Sequence, residues 1–384
     1  MRIPFSDDSV QHRRLLPSIE TTLREVLLDI SAAGSVQIPA LERDISDHLG
    51  GCHAMAVQSG TAAIFLGLKA LGVGPGDEVI TVPNSDLVTT SCVSHVGARF
   101  VLCDVEPDTM NLDPALVERL ITPRTKAILP VHLAGHPADM QPIVDIARRH
   151  NLKVIEDACL SLGATYHGQQ TGLIGDVGCF SFGIGKVISG GGDGGMVITR
   201  SASIPHEVRL LRGVGLYPGT TDASPEQRLR MHGQQNEREG YFLQMSAIQA
   251  AIVRLKLPHL AAWQAERQAL AERYASHFAG TPVKAPTVRP GCTHTWRDYI
   301  VRLPNRDHVR AALRERGIAT HLRYFPPVHL QPVHRSLGLG RGSFPVAERA
   351  ADELLGLPMY PGLPAEHADE VATAVLDTLA ARTV

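Results

Sequence analysis

From about residue 53 to residue 200, short apolar runs alternate with amphipathic ones. The runs at 54–57, 78–81, 99–103, 127–131, 153–155, 179–182 and 195–199 read as strands. Apolar residues at helical spacing over 61–71, 114–120 and 138–150 read as helices between the earlier strands. Strands alternating with helices predict an α/β fold built on a large, mainly parallel sheet with helices on both faces. A sheet of that kind binds its ligands at the carboxyl ends of its strands.

The pattern then changes. Residues 245–277 read as one long helix interrupted at Pro258, where the missing amide hydrogen should kink or split it. Beyond it a strand is predicted over 299–303 and helices over 307–316, 347–354 and 365–380. Residues from about 275 onward are therefore expected to form a small α+β unit, with a helix over 20–30 a candidate to pack against it. A chain of 384 residues exceeds the ~250–300 at which single cores stop growing, which agrees with a large and a small domain. The polar, glycine-containing stretch 214–240 is expected to be a surface loop or a segment ordered by a partner subunit.

Composition narrows the function. The formal net charge is -2 without a long run of one sign, so the electrostatic footprint of a nucleic-acid binder is missing. Residues 1–10 hold no apolar run and no stretch approaches ~18 apolar residues, so neither a secretory leader nor a membrane span is expected. Cys52, Cys92, Cys103, Cys159, Cys179 and Cys292 are scattered without CxxC spacing, as reduced thiols of a cytoplasmic protein would be. His321, His329 and His334 lie in one region but match no familiar zinc spacing, so no metal is expected.

Three stretches carry candidate chemistry. Ser59-Gly60-Thr61 follows a predicted strand and opens a helix, where free amides and the dipole favour a phosphate, although a simple N-cap would look the same. Glu156-Asp157 ends a hydrophobic strand, where a carboxylate can pair with a protonated heterocycle nitrogen or merely cap a helix. Lys186 follows another strand and precedes the glycine-rich run Gly190-Gly191-Gly192-Asp193-Gly194-Gly195. A lysine with a depressed pKa can form a Schiff base. A P-loop is excluded, because Phe180 and Val187 stand where that motif needs glycine and Ser or Thr. An oxidoreductase reading is disfavoured, since no GxGxxG opens a helix after a strand.

The order of these features, with Ser181 five residues before Lys186, resembles the fold-type-I pyridoxal 5′-phosphate (PLP) enzymes. More specifically, the chain resembles the DegT/DnrJ/EryC1/StrS family of sugar aminotransferases. The similar stretches are SGTAAIFLGLKALGVGPGDEVI (59–80), VIEDACLSLGATYHG (154–168), GDVGCFSFGIGK (175–186), GGDGGMVIT (191–199), SAIQAAIVRLKLPHLAAW (246–263) and YFPPVHLQP (324–332). The resemblance implies a seven-stranded, PLP-binding large domain over 1–274 and a small C-terminal domain over 275–384. It implies that Lys186 is the Schiff-base lysine and proton carrier, that Asp157 pairs with the pyridinium nitrogen, and that Gly60, Thr61 and Ser181 hold the phosphate. It also implies a homodimer that takes an amino group from an amino acid, typically glutamate, and gives it to a keto-sugar, usually nucleotide-linked, or to a keto-cyclitol, as in antibiotic biosynthesis.

Four positions depart from the family pattern. Asp86 aligns where an aromatic commonly stacks on the cofactor, and Leu160 stands where a glutamine usually meets its hydroxyl. Phe242 and Gln244 replace an asparagine that usually reaches the neighbour's phosphate and an arginine that follows it. The expected activity is transamination in a remodelled site. The competing readings are a PLP-dependent elimination or deoxygenation, and a catalytically weak PLP-fold partner protein. Arg297 and Arg323 are candidates to meet a carboxylate or diphosphate, and His329 to line the site entrance.

Overall fold

The computed structural model describes residues 1–215, 236 and 238–381. Helices α1 (Ser9–Leu28) and α2 (Ile30–His48) lead into β1 (His53–Val57), α3 (Gly60–Ala70), β2 (Glu78–Thr81), α4 (Leu87–His95) and β3 (Arg99–Leu102). Next come α5 (Pro114–Val117), β4 (Thr125–Ile128), α6 (Met140–Arg149), β5 (Lys153–Asp157), the two-residue strands β6 (Thr165–Tyr166) and β7 (Gln169–Gln170), β8 (Val177–Ser181), β9 (Gly195–Thr199) and α7 (Ile204–Arg212). The rest comprises α8 (Ala247–Lys256), α9 (Leu260–Phe278), β10 (Tyr299–Arg302), α10 (Arg306–Glu315), α11 (Pro345–Glu353), β11 (Leu354–Leu357) and α12 (Ala365–Ala380).

The main sheet has seven strands in the order β1-β9-β8-β5-β4-β2-β3. Every strand runs parallel to the others except β9, which is antiparallel to both β1 and β8. Side chains alternate across it as the pleat requires. Met55, Val57 and Val197 face the core under α3, while Ala54, Ala56, Met196 and Ile198 face the core under α2 and α8. Both faces are covered, so these strands are apolar on both sides. Helix α3 lies very close to the sheet at Gly67, where a Cβ would come within 2.8 Å of Ile155 Cδ1. A mid-helix glycine costs roughly 1 kcal/mol against alanine, and the close approach offsets it.

Pro258 splits the long predicted helix as expected: one 3-10 turn, Leu257–His259, separates α8 from α9. A second core gathers Tyr274 and Phe278 of α9 with Tyr299, Val301, Leu313, Leu355 and Val371 around the antiparallel pair β10–β11. Strand β11 was not expected; the predicted helix ends at Glu353 and the chain turns directly into the strand. The N-terminal helix is longer than expected, and α1 packs on α8. It is the segment ahead of α1 that joins the second core, through an Ile3–Ile318 bridge and a bond from the Met359 amide to the Phe5 carbonyl (3.1 Å). The expected loop over 214–240 falls largely outside the described residues. Among the described residues, no helix is long and apolar enough to cross a membrane.

Candidate active site

Five connections leave the carboxyl edge of the sheet and surround one cavity of about 350 Å³. Ser59, Gly60 and Thr61 follow β1, Ser85 and Asp86 follow β2, Val131 follows β4, Asp157 and Leu160 come from the end of β5, and Ser181 and Lys186 from the end of β8. The expected residues Gly60, Thr61, Asp86, Asp157, Leu160, Ser181 and Lys186 thus all line one space.

The end of the cavity expected to hold a phosphate is built by the start of α3. Ser59 is its N-cap, with its hydroxyl accepting from the Ala62 amide at 3.1 Å. The cap is therefore real, yet it leaves the preceding amides of the first turn free to meet an anion. Gly60 presses this turn against the end of β8, since a Cβ there would lie 2.7 Å from Ser181 Cβ and 2.9 Å from Cys159 Sγ. Only a residue without a side chain brings the helix terminus and the Ser181 hydroxyl to the same spot.

At the other end Asp157 is buried and held on both oxygens. Thr89 Oγ1 donates to one at 2.9 Å, and the Cys159 amide to the other at 3.3 Å. The Thr89 hydroxyl is itself 2.7 Å from Ser85 Oγ. A carboxylate fixed in this way can pair with a cation in the cavity. The Cys159 thiol stays protonated, since burial, and then Asp157, pushes its pKa well up.

Lys186 is half-buried, and its charge is felt by Asp298, which lies outside the cavity lining. Burial works against ionisation of Asp298, but Arg297, Arg323 and Lys186 outweigh it and hold its carboxyl below the usual range. Arg297 and Arg323 both pair with Asp298, the latter through Nε at 3.2 Å. Neither arginine lines the cavity, so the expected direct role for them is not what this geometry displays.

Other residues singled out in the sequence lie outside the cavity lining. Phe242 is 80% exposed and lies outside the cavity lining, as does Gln244, which bridges to Val57. His329 does not line the entrance: it is buried, and its Nε2 lies 3.0 Å from Glu348 Oε1. His321 and His334 have separate partners, Phe5 and Phe100, and among the described residues no group of ligating side chains could hold a metal ion. Sequence reasoning missed Thr89 and Tyr324. Tyr324 is buried beside Asp86 and supplies an aromatic to the cavity from the other half of the chain. Its only signal was its place at the head of the YFPPVHLQP stretch.

The arrangement fits PLP: a helix N-terminus and a hydroxyl for the phosphate, a buried anchored carboxylate for the ring nitrogen, and the Lys186 amine in the same cavity. Comparison with known proteins agrees. The model of the DegT/DnrJ/EryC1/StrS aminotransferase family matches residues 20–376. The pleiotropic regulatory protein of Geobacillus stearothermophilus is 38% identical over 380 residues, covering 98% of this chain and 98% of its own. The dTDP-3-amino-3,4,6-trideoxy-alpha-D-glucose transaminase of Streptomyces venezuelae is 36% identical over 375 residues, covering 97% and 95%. The crystal structure of S. venezuelae DesV in complex with a ketimine intermediate superposes with a TM-score of 0.90 at 35% identity, over 98% of each chain.

Proposed function

The chain belongs to the DegT/DnrJ/EryC1/StrS aminotransferase family of fold-type-I PLP enzymes, and from that premise we propose that it aminates a keto-sugar, nucleotide-linked, or a keto-cyclitol, with glutamate as donor. Its cofactor is pyridoxal 5′-phosphate. When bound, PLP supplies an electron-withdrawing ring that accepts the electron pair released as the substrate carbon loses its proton.

The observation that carries this reading is the single cavity joining Lys186, Asp157 and the α3 N-terminus. Lys186 holds the cofactor by its amine and moves the proton at the reacting carbon. Asp157, anchored by Thr89 and the Cys159 amide, keeps the ring nitrogen protonated. Gly60, Thr61 and Ser181 hold the phosphate. Asp86 and Leu160 face the cofactor's surroundings in place of the family's aromatic and glutamine, and shape the site for its own ketone.

Residues 1–274 are assigned to the cofactor-binding unit and 275–384 to the small unit. A homodimer is part of the proposal: Ile184, at the cavity rim beside Lys186, is 76% exposed, an apolar side chain that a second copy would cover. All six cysteines are free, which suits a reducing cytoplasm.

The test is an absorbance spectrum of the purified protein with added PLP, beside Lys186→Ala. A visible band is expected in wild type, absent from the variant, and bleached by glutamate with stoichiometric 2-oxoglutarate. No band at high PLP would sink the reading. Turnover of a sugar substrate without donor consumption would replace transamination by elimination.

A further inference from the structure

The loop that carries Lys186 is gripped from behind. Gly185, Val187 and Ser189 alternate with Lys186 and Ile188, and each of the three bonds to a side chain from outside the sheet. The Gly185 amide donates to Asp8 Oδ2 at 2.8 Å. Gln11 Nε2 donates to the Val187 carbonyl at 3.2 Å. Lys256 Nζ donates to the Ser189 carbonyl at 2.8 Å and lies 3.1 Å from its hydroxyl. Lys256 is itself joined to the N-terminal helix, 2.9 Å from His12 Nε2. Gln11 and Lys256 are buried, so these bonds form away from competing water.

Asp8 is the telling member. It stands at the N-cap of α1, where an aspartate normally accepts from an amide of its own first turn. Here its side chain makes no cap bond and reaches Gly185 instead. Gly185 has a φ of +76°, which only glycine adopts freely, and this turns its amide outward to Asp8. On the same glycine a Cβ would meet Arg297 Nη2 at 3.1 Å, so the loop is clasped between the N-terminal arm and Arg297. The residue next to this clasp is Lys186.

We propose that Asp8 is a positioning residue for Lys186, and that residues 8–12, with Lys256, form a brace that fixes where the lysine amine sits. The inference rests on the assignment of Lys186 as the cofactor-binding lysine. The brace acts through backbone hydrogen bonds to the loop, and Asp8 itself touches neither substrate nor cofactor.

Two readouts test it. Amide hydrogen exchange over 183–192, measured on the cofactor-free full chain, should quicken about tenfold in Asp8→Ala, the effect of losing one charge-assisted bond. On the PLP-loaded protein the same variant should shift the visible band and lower kcat about tenfold, with KM for glutamate little changed. Asp8→Asn keeps an oxygen to accept from Gly185, and should restore most of each. Unchanged exchange in Asp8→Ala, or equal losses in both variants, overturns the proposal. Lys186→Ala is run alongside: a band that survives it overturns the lysine assignment and this role with it. A band lost there, with exchange unchanged in Asp8→Ala, overturns the brace alone.

Discussion

A methyl group added at Gly60 would collide with Ser181 Cβ at 2.7 Å and with Cys159 Sγ at 2.9 Å. Neither neighbour is the free end of a long side chain, so the first turn of α3 has to move away from β8. Overpacking of this kind costs about 1–3 kcal/mol, and here it also opens the phosphate end. Gly60→Ala is therefore expected to weaken PLP binding by about tenfold or more, read by titrating the visible band, and to lower the melting temperature of the cofactor-free protein. Gly60, Asp157, Ser181 and Lys186 were legible because each sits at the end of a strand in a local motif. Thr89 and Tyr324 were not. Thr89 reaches Asp157 across 68 residues of sequence, and no local spacing announces such a bond.

Helix α3 shows how one element serves two roles. Its Ser59 hydroxyl caps the helix, while Gly60 and Thr61 of its first turn line the cavity. Ser59→Ala should cost about 1 kcal/mol through loss of the cap, seen as a modest fall in melting temperature. Because it adds no bulk, it should weaken PLP binding less than Gly60→Ala does, and the same titration compares them. The sheet strands and α3 were readable from apolar periodicity. Helix α4 was not: its sequence, LVTTSCVSH, is rich in β-branched residues of poor helix propensity and has no clear apolar stripe. Packing against α3 stabilises it, and it carries Thr89 to the Asp157 carboxylate. Strand β11 escaped for a related reason, since a helical pattern runs straight into it and only its pairing with β10 defines it.

At the scale of the whole molecule, a buried histidine contributes to the acid side of stability. The His136 ring is buried, and its Nε2 accepts from the Arg289 amide at 3.0 Å. Burial first, then the charges of Arg289 and His132, lower its pKa from 6.5 to about 4. The unfolded chain takes up this proton below 6.5, while the folded chain resists until about 4. The contribution is thus fully present above pH 6.5 and is lost as pH falls toward 4. Melting temperatures across this window should fall, and His136→Gln should flatten part of the slope. The mainly parallel sheet and the small α+β unit were both legible as a change of pattern along the chain, but the antiparallel pairing inside that unit was not. How the chain's two ends meet was not, because Ile3 pairs with Ile318 and Phe5 with Met359 without any shared motif. During synthesis Ile3 and Phe5 must therefore wait for Ile318 and Met359 to emerge. The sheet can form on the nascent chain, but the N-terminal arm is tied down at both ends only after residue 359 has emerged. The arm whose Asp8 meets the Lys186 loop is thus settled later than the sheet that carries the lysine.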